Sequence, residues 1–176
     1  DWPRFWRRWS QVAVAALLVT AGSALMFPRS FIYFGVLHGI AVMLIVVRLT
    51  AGWGGWLWPA GALAIAAKFI APTAIAAMPV LEFLNAPGWN ALGFISRLPV
   101  TEDYVPLLPW LGVMWWGVAA GRWALAHRPH WLGADDAPAS GAKRGLVLLG
   151  RWSLSYYLLH QPVLMGLLAA VVWLRG

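Results

Sequence analysis

Four polar residues recur at spacings of three and four near the C-terminal end of the sequence, within SLSYYLLHQPVL: Ser153, Tyr156, Tyr157 and His160. On a helix, this spacing places them on one face as a polar stripe. In a membrane such a stripe is costly unless its groups are paired or face an internal cavity. The pattern predicts a site around a neutral imidazole that acts as a base or orients a substrate. Hydrogen bonding to neighbouring helices is the equally weighted alternative.

The stripe is followed directly by Gln161 and Pro162. Proline has no N–H to donate to the carbonyl of Leu158, so the helix is expected to kink near this point. A freed carbonyl, an amide side chain and an imidazole together suit the wall of an internal polar cavity.

A second histidine, His38, lies in FGVLHGIAV between Gly35 and Gly39. The two glycines would let a neighbouring helix approach the ring closely. A single histidine in such a helix is more often an interhelical hydrogen-bond donor than a catalytic group. A second histidine on a separate helix adds weight to a catalytic role for both.

Acidic residues precede another apolar stretch in EDYVPLLPW. Pro106 suits the start of a helix, and Asp103 is close enough in sequence to cap that helix or to interact with its dipole. The alternative is a carboxylate at the mouth of a cavity that orients a histidine, and the sequence leaves both open.

The composition is that of an integral membrane protein. Hydrophobic residues make up 61% and charged residues 11% of the chain, and the mean hydropathy is +0.70. Soluble domains average about 45–50% apolar and about a quarter charged residues. The 14 tryptophans and 18 glycines suit interfacial belts and close helix contacts. Cysteine is absent, which excludes thiolate chemistry and disulfides.

Five stretches are long and apolar enough to be predicted as spans, which gives an all-α polytopic transmembrane bundle. The predicted spans are Ser10–Phe27, Phe31–Leu49, Trp56–Ile70, Pro106–Ala126 and Ser153–Leu174. The proline-rich stretch Ala71–Val105 between the third and fourth is expected to lie at the interface or to re-enter the membrane.

Basic residues orient this set, because cytoplasmic loops carry an excess of Lys and Arg. With the N-terminal end cytoplasmic, the inside residues are Arg4, Arg7, Arg8, Arg48, Arg122, Arg128, Lys143, Arg144 and Arg151. The same bias explains the formal net charge of +7 without a nucleic-acid partner. The expected location is the plasma (inner) membrane.

Three stretches resemble, in order, the bacterial branch of the heparan-α-glucosaminide N-acetyltransferase catalytic-domain family: IYFGVLHGIAV, DYVPLLPWLGVMWWGVAAGR and LGRWSLSYYLLHQPVL. The resemblance runs from Phe31 to Leu164. It implies a polytopic acyltransferase that uses cytosolic acetyl-CoA to acetylate a sugar amine or hydroxyl on the other side of the membrane. The family opens with an Arg-Gly helix that has no counterpart here. The 176 residues are therefore expected to be one transmembrane domain, the C-terminal portion of a longer protein.

The resemblance also implies roles for individual residues. The implied catalytic residues are His38, His160 and Asp103. The implied coenzyme-binding residues are Arg144, Arg151, Tyr157 and Gln161. For the two arginines, the sequence by itself favours topology and lipid headgroups over coenzyme phosphates.

The expected partners are membrane lipids and a carbohydrate acceptor, and self-association is left open. No metal is expected, because His127 and His130 have no third ligand nearby other than Asp135 or Asp136. The alternative class is a non-enzymatic transporter or polysaccharide export partner, since kinked helices with midplane polar residues also line transport pathways.

Overall fold

The structure is a computed structural model that describes residues 1–128 and 141–175. Within these residues the fold is all-helical, without strands, as predicted. The five helices are α1 (Trp2–Met26), α2 (Val36–Thr50), α3 (Leu57–Ala77), α4 (Leu107–His127) and α5 (Gly141–Arg175). Three 3₁₀ segments connect them: Ala51–Trp56, Pro79–Asn85 and Trp89–Leu92.

The chain divides into two compact units, Asp1–Leu132 and Gly133–Gly176. The first contains α1 to α4, and the second contains α5. The single transmembrane domain expected from the sequence stays a prediction.

Four of the five helices differ in length from the prediction. Helix α1 begins at Trp2, eight residues before the predicted Ser10, and α2 begins at Val36, five residues after the predicted Phe31. The third span was expected to end at Ile70 because Pro72 follows, but α3 continues through Pro72 to Ala77. In the turn around this proline, the Thr73 hydroxyl donates to the Ile70 carbonyl at 2.8 Å. Likewise, α5 begins at Gly141, twelve residues before the predicted Ser153, and it continues through Pro162.

Among the residues that the structure describes, two helical stretches are long and apolar enough to cross a membrane. They are Trp2–Met26 and the 42-residue stretch Val36–Ala77, which combines α2, a 3₁₀ segment and α3. Gly54 interrupts the second stretch with a φ of +59°, a backbone conformation that favours glycine. The five-span topology stays a prediction.

Tryptophan side chains link the helices of the first unit through their ring N–H groups. Trp9 of α1 donates to the Ala41 carbonyl of α2 at 2.8 Å. On α4, Trp115 donates to the Thr50 hydroxyl at 2.8 Å, and Trp116 donates to the Trp58 carbonyl at 2.9 Å. The indoles that were expected mainly at interfacial belts therefore also join helices.

Helices α3 and α4 approach each other closely at Gly61 and Gly112. A Cβ atom on Gly61 would lie 2.9 Å from the Gly112 carbonyl oxygen, and one on Gly112 would lie 2.6 Å from the Gly61 carbonyl oxygen. Only glycine permits this contact at either position. The pair Gly117 and Gly121, predicted to serve this purpose, has no neighbour within 4 Å of an added Cβ among the described residues.

Candidate active site

The His38 ring joins α1 to the first turn of α2. It is half-buried, and its Nε2 lies 3.0 Å from the Thr20 hydroxyl oxygen. The same hydroxyl donates to the Ile32 carbonyl at 2.7 Å. One turn further along α1, Ser23 accepts a hydrogen bond from the Ile32 N–H at 2.9 Å. The chain before α2 is thus tied to α1 at two points.

The other ring nitrogen of His38 faces the start of its own helix. Gly35 is the N-cap residue of α2, and its N–H donates to His38 Nδ1 at 3.4 Å. The first N–H groups of a helix have no partner within the helix, so a side chain that accepts from one of them stabilises the helix start. Both nitrogens of His38 therefore contact protein groups.

Asp103 caps α2 rather than the helix that follows it in sequence. Its Oδ2 accepts a hydrogen bond from the Val36 N–H at 2.8 Å, and the side chain is half-buried. The expected cap on α4 is therefore wrong. A carboxylate at this position satisfies an N–H and interacts favourably with the positive end of the α2 dipole. The carboxylate also interacts electrostatically with the ring of His38, which lies in the helix turn that Asp103 caps.

Asp103 belongs to a strap, residues 101–105, that lies along residues 30–36. Backbone hydrogen bonds join Glu102 N–H to the Ser30 carbonyl at 2.9 Å and Val105 N–H to the Phe34 carbonyl at 3.4 Å. A parallel bridge pairs Phe34 with Tyr104. Two side-chain hydrogen bonds reinforce the strap. The Thr101 hydroxyl donates to the Phe31 carbonyl at 2.9 Å, and the Ser30 hydroxyl donates to the Glu102 carboxylate.

Two glycines of α2 make room for this strap. A Cβ on Gly35 would overlap the Asp103 carboxylate, and one on Gly39 would lie 2.9 Å from the Val105 carbonyl oxygen. The sequence predicted that these glycines would admit a neighbouring helix. Instead, they admit an extended segment that carries a carboxylate to the His38 turn.

A second polar cluster lies beside the strap, and the sequence analysis missed it. Asn90 is only 1% exposed, and its Nδ2 donates to the Tyr33 hydroxyl at 2.6 Å. The backbone carbonyl of Asn90 accepts from the Tyr104 hydroxyl at 2.6 Å. Among the described residues, Asn90 Oδ1 has no hydrogen-bond partner. Burial, with a smaller contribution from Tyr33, raises the pKa of Tyr104 to about 12. An asparagine in a proline-rich loop gives no sequence signal for this burial.

In the second unit, His160 stacks on Tyr156 of its own helix, with ring centroids 5.8 Å apart and an interplanar angle of 13°. Its Nδ1 lies 2.6 Å from the Tyr157 carbonyl oxygen. Because a carbonyl only accepts, the proton of the neutral ring is on Nδ1 and Nε2 carries the lone pair. The polar stripe therefore forms locally, with Ser153 donating to the Gly150 carbonyl at 2.9 Å.

The predicted coenzyme-binding residues all belong to this unit. Arg144 and Arg151 are exposed, and Tyr157 is 37% exposed. The two arginines are seven positions apart, about two helical turns, so both lie on one face of α5. The side chains of Gln161 and Pro162 lie outside the described residues, as do His130, Asp135 and Asp136.

No group of three His, Asp or Glu side chains suited to a metal occurs in the part of the chain that the structure describes. Of the other histidines, His127 in the last turn of α4 stacks on Trp123, with ring centroids 5.4 Å apart. Its Nδ1 donates to the Trp123 carbonyl at 3.0 Å.

Comparison with protein families matches residues 1–162 to the family described as heparan-alpha-glucosaminide N-acetyltransferase, catalytic. The match covers most of the chain. The chain belongs to this family. The matched region includes α1, which precedes Phe31, and it includes His38, Asp103 and His160. Comparisons with curated proteins and with solved structures returned no significant match.

Membership indicates acyltransferase activity of the acetyltransferase kind. The family is acetyl-CoA dependent in general and membrane-associated. The family predicted from the sequence is therefore confirmed.

Proposed function

We propose that the protein is a multi-pass membrane acyltransferase that uses cytosolic acetyl-CoA to acetylate an amine or hydroxyl of an extracytoplasmic sugar. The proposal rests on the first turn of α2, which contains His38 and is capped by Asp103, in a chain that belongs to an acetyltransferase family. A neutral imidazole in a helix turn that is capped by a carboxylate is suited to general-base catalysis.

In this mechanism His38 accepts the proton that the sugar amine or hydroxyl loses as it attacks the acetyl carbonyl. Asp103, fixed on the Val36 N–H, supplies a negative charge that stabilises the imidazolium. The coenzyme supplies the acetyl group as a thioester, whose C–S bond breaks as the new bond to the sugar is completed. The coenzyme leaves as a thiol that takes the proton back from the imidazolium. An alternative role for a histidine is to carry the acetyl group itself, on whichever ring nitrogen holds the lone pair.

The second unit offers the residues for the donor. Arg144 and Arg151 would hold the coenzyme phosphates on the cytoplasmic side, and Tyr157 and Gln161 would donate to the carbonyl oxygen on which negative charge develops. Sixteen residues separate Arg144 from His160, or about 24 Å at about 1.5 Å per residue. A coenzyme bound by both would lie extended along α5.

In the proposed topology, the N-terminal end is cytoplasmic and the five helices span the membrane. The strap and the start of α2 then lie on the extracytoplasmic side, where the acceptor arrives. Arg48 lies in the last turn of α2, toward the cytoplasm, as the excess of basic residues inside requires.

The test uses the purified protein in lipid vesicles with radiolabelled acetyl-CoA and glucosamine. We expect label to appear on the sugar amine, and only when protein, coenzyme and acceptor are all present. Movement of labelled glucosamine across the vesicle membrane without acetyl-CoA, and with no acetylated product, would instead identify a transporter.

A further inference from the structure

We infer that Thr20 is a positioning residue that holds His38 in the tautomer with the proton on Nε2, so that Nδ1 is the basic nitrogen. This inference rests on the proposed function for its catalytic meaning, but the tautomer itself is a property of the protein alone. Neither Thr20 nor the identity of the basic nitrogen follows from the sequence motifs.

The first evidence is the number of protons on the Thr20 hydroxyl. A hydroxyl has one proton to donate. The Ile32 carbonyl, 2.7 Å away, only accepts, so it takes that proton. The contact between Thr20 Oγ1 and His38 Nε2 at 3.0 Å must then run from the ring N–H to the hydroxyl oxygen.

The second evidence comes from the opposite side of the ring and does not depend on Thr20. The backbone N–H of Gly35 only donates, and it points at His38 Nδ1 at 3.4 Å. Nδ1 must therefore carry a lone pair. Two contacts from separate elements assign the same tautomer.

Nδ1 gives up its hydrogen bond with the Gly35 N–H when it acts as the base. Its bond to Gly35 is longer than the usual 2.7–3.2 Å for N–H to acceptor, so little stabilisation is lost when Nδ1 takes a proton instead. The Thr20 bond to Nε2 is unaffected by that step, because Nε2 is a donor in both the neutral and the charged ring. Thr20 therefore keeps the ring in place while His38 changes its charge.

The arrangement differs from that of His160, whose Nδ1 donates to a backbone carbonyl. The two histidines thus present opposite nitrogens as the base. In His38 the shorter of the two contacts that assign the tautomer is made by a side-chain hydroxyl, and a substitution can remove it.

Replacing Thr20 should leave the local fold in place. Ser23 ties Ile32 to α1 separately, through the Ile32 N–H at 2.9 Å, and donates to the Thr20 backbone carbonyl at 3.0 Å. Valine has nearly the same shape as threonine without the hydroxyl. Thr20→Val therefore removes the hydrogen bond to His38 while keeping the Ser23 link.

The experiment is ¹⁵N NMR of histidine-labelled protein, with the His38 signals assigned by their loss in His38→Gln. We expect wild-type His38 to show a protonated Nε2 and an unprotonated Nδ1. Thr20→Val leaves only the long Gly35 bond to hold the tautomer, so it should raise the share of rings that are protonated on Nδ1, and Thr20→Ser should keep the wild-type pattern. The control is Thr73→Val, in which the lost hydroxyl bonds the Ile70 carbonyl within α3 and no other group of the described residues. That variant should leave the His38 signals unchanged.

Acetyl transfer gives the second readout. We expect Thr20→Val to lower kcat about tenfold, the effect of losing one hydrogen bond, with little change in KM for the coenzyme. Thr20→Ser should recover most of kcat. A wild-type ring protonated on Nδ1, or a Thr20→Val ring that keeps a single Nε2–H tautomer, would overturn the inference. The NMR spectrum does not depend on turnover, so it tests the tautomer even if the proposed function is wrong. In that case wild-type His38 would show the Nε2–H tautomer while the protein showed no transferase activity.

Discussion

Asp103 and Val36 are 67 residues apart in sequence, yet the carboxylate of one accepts the backbone N–H of the other at 2.8 Å. This hydrogen bond attaches the strap to the first turn of α2, the turn from which His38 projects. It also explains why Gly35 precedes that turn, since any larger residue there would meet the carboxylate. Helix start, strap and histidine therefore form one structural element.

The first prediction concerns the Asp103 cap. Asp103→Ala should lower the free energy of unfolding by about 1–2 kcal/mol, because the Val36 N–H loses its partner. Asp103→Asn keeps an acceptor oxygen but loses the charge, so its stability should lie between alanine and wild type while acetyl transfer falls. Thermal unfolding in detergent measures the first effect. Equal stability of Asp103→Ala and wild type would contradict the capping role.

The second prediction concerns the space at Gly35. Gly35→Ala should destabilise the protein by about 1–3 kcal/mol, because the added Cβ would overlap the Asp103 side chain. The backbone at Gly35 has a φ of −99°, which alanine adopts readily, so the cost is steric.

Gly117→Ala is the matched control for Gly35→Ala. An added Cβ there meets nothing within 4 Å among the described residues, and alanine favours a helix over glycine by up to about 1 kcal/mol. We expect an unchanged or raised unfolding temperature for this variant. If both variants behaved alike, the close approach of the strap at Gly35 would be wrong.

The third prediction concerns Tyr104 at high pH. Its pKa in the folded protein is about 12, above the ordinary value of 10.0. A pKa that is raised on folding means that the neutral phenol stabilises the fold. This contribution is complete below about pH 10 and is lost as the pH rises toward 12. The protein should therefore become less stable across that interval.

Tyrosinate absorbance measures this directly. The difference between titrations of wild type and Tyr104→Phe isolates one phenol, which should ionise near pH 12. Tyr104→Phe should also lose the alkaline decline in stability that this group causes. Ionisation of Tyr104 near its ordinary pKa would show that the hydroxyl is not buried against Asn90.

The helical fold and most helix positions could be predicted from the sequence, because long apolar runs dominate it. The ends were less predictable. Pro72 was expected to end α3, since an isolated proline breaks a helix, but the helix continues through it to Ala77. Gly141 was not recognised as the start of α5, because the residues before Ser153 are more polar than a spanning segment.

The candidate site was predictable only where residue type itself suggests chemistry. His38, His160 and Asp103 were identified in this way. The partner of Asp103 was not, because a cap 67 residues away leaves no local pattern. Thr20 was missed because a threonine in an apolar helix resembles ordinary packing, and its role appears only when α1 lies against Ile32 and His38.

The most direct test of the account replaces His38 and measures acetyl transfer. Glutamine can retain a hydrogen bond to Thr20 but has no basic nitrogen, so His38→Gln should fold and lose activity by at least about a hundredfold. His127→Gln is the matched control, because His127 contacts only Trp123 of its own helix among the described residues. It should keep wild-type activity. A folded His38→Gln protein that transfers acetyl at the wild-type rate would contradict the account.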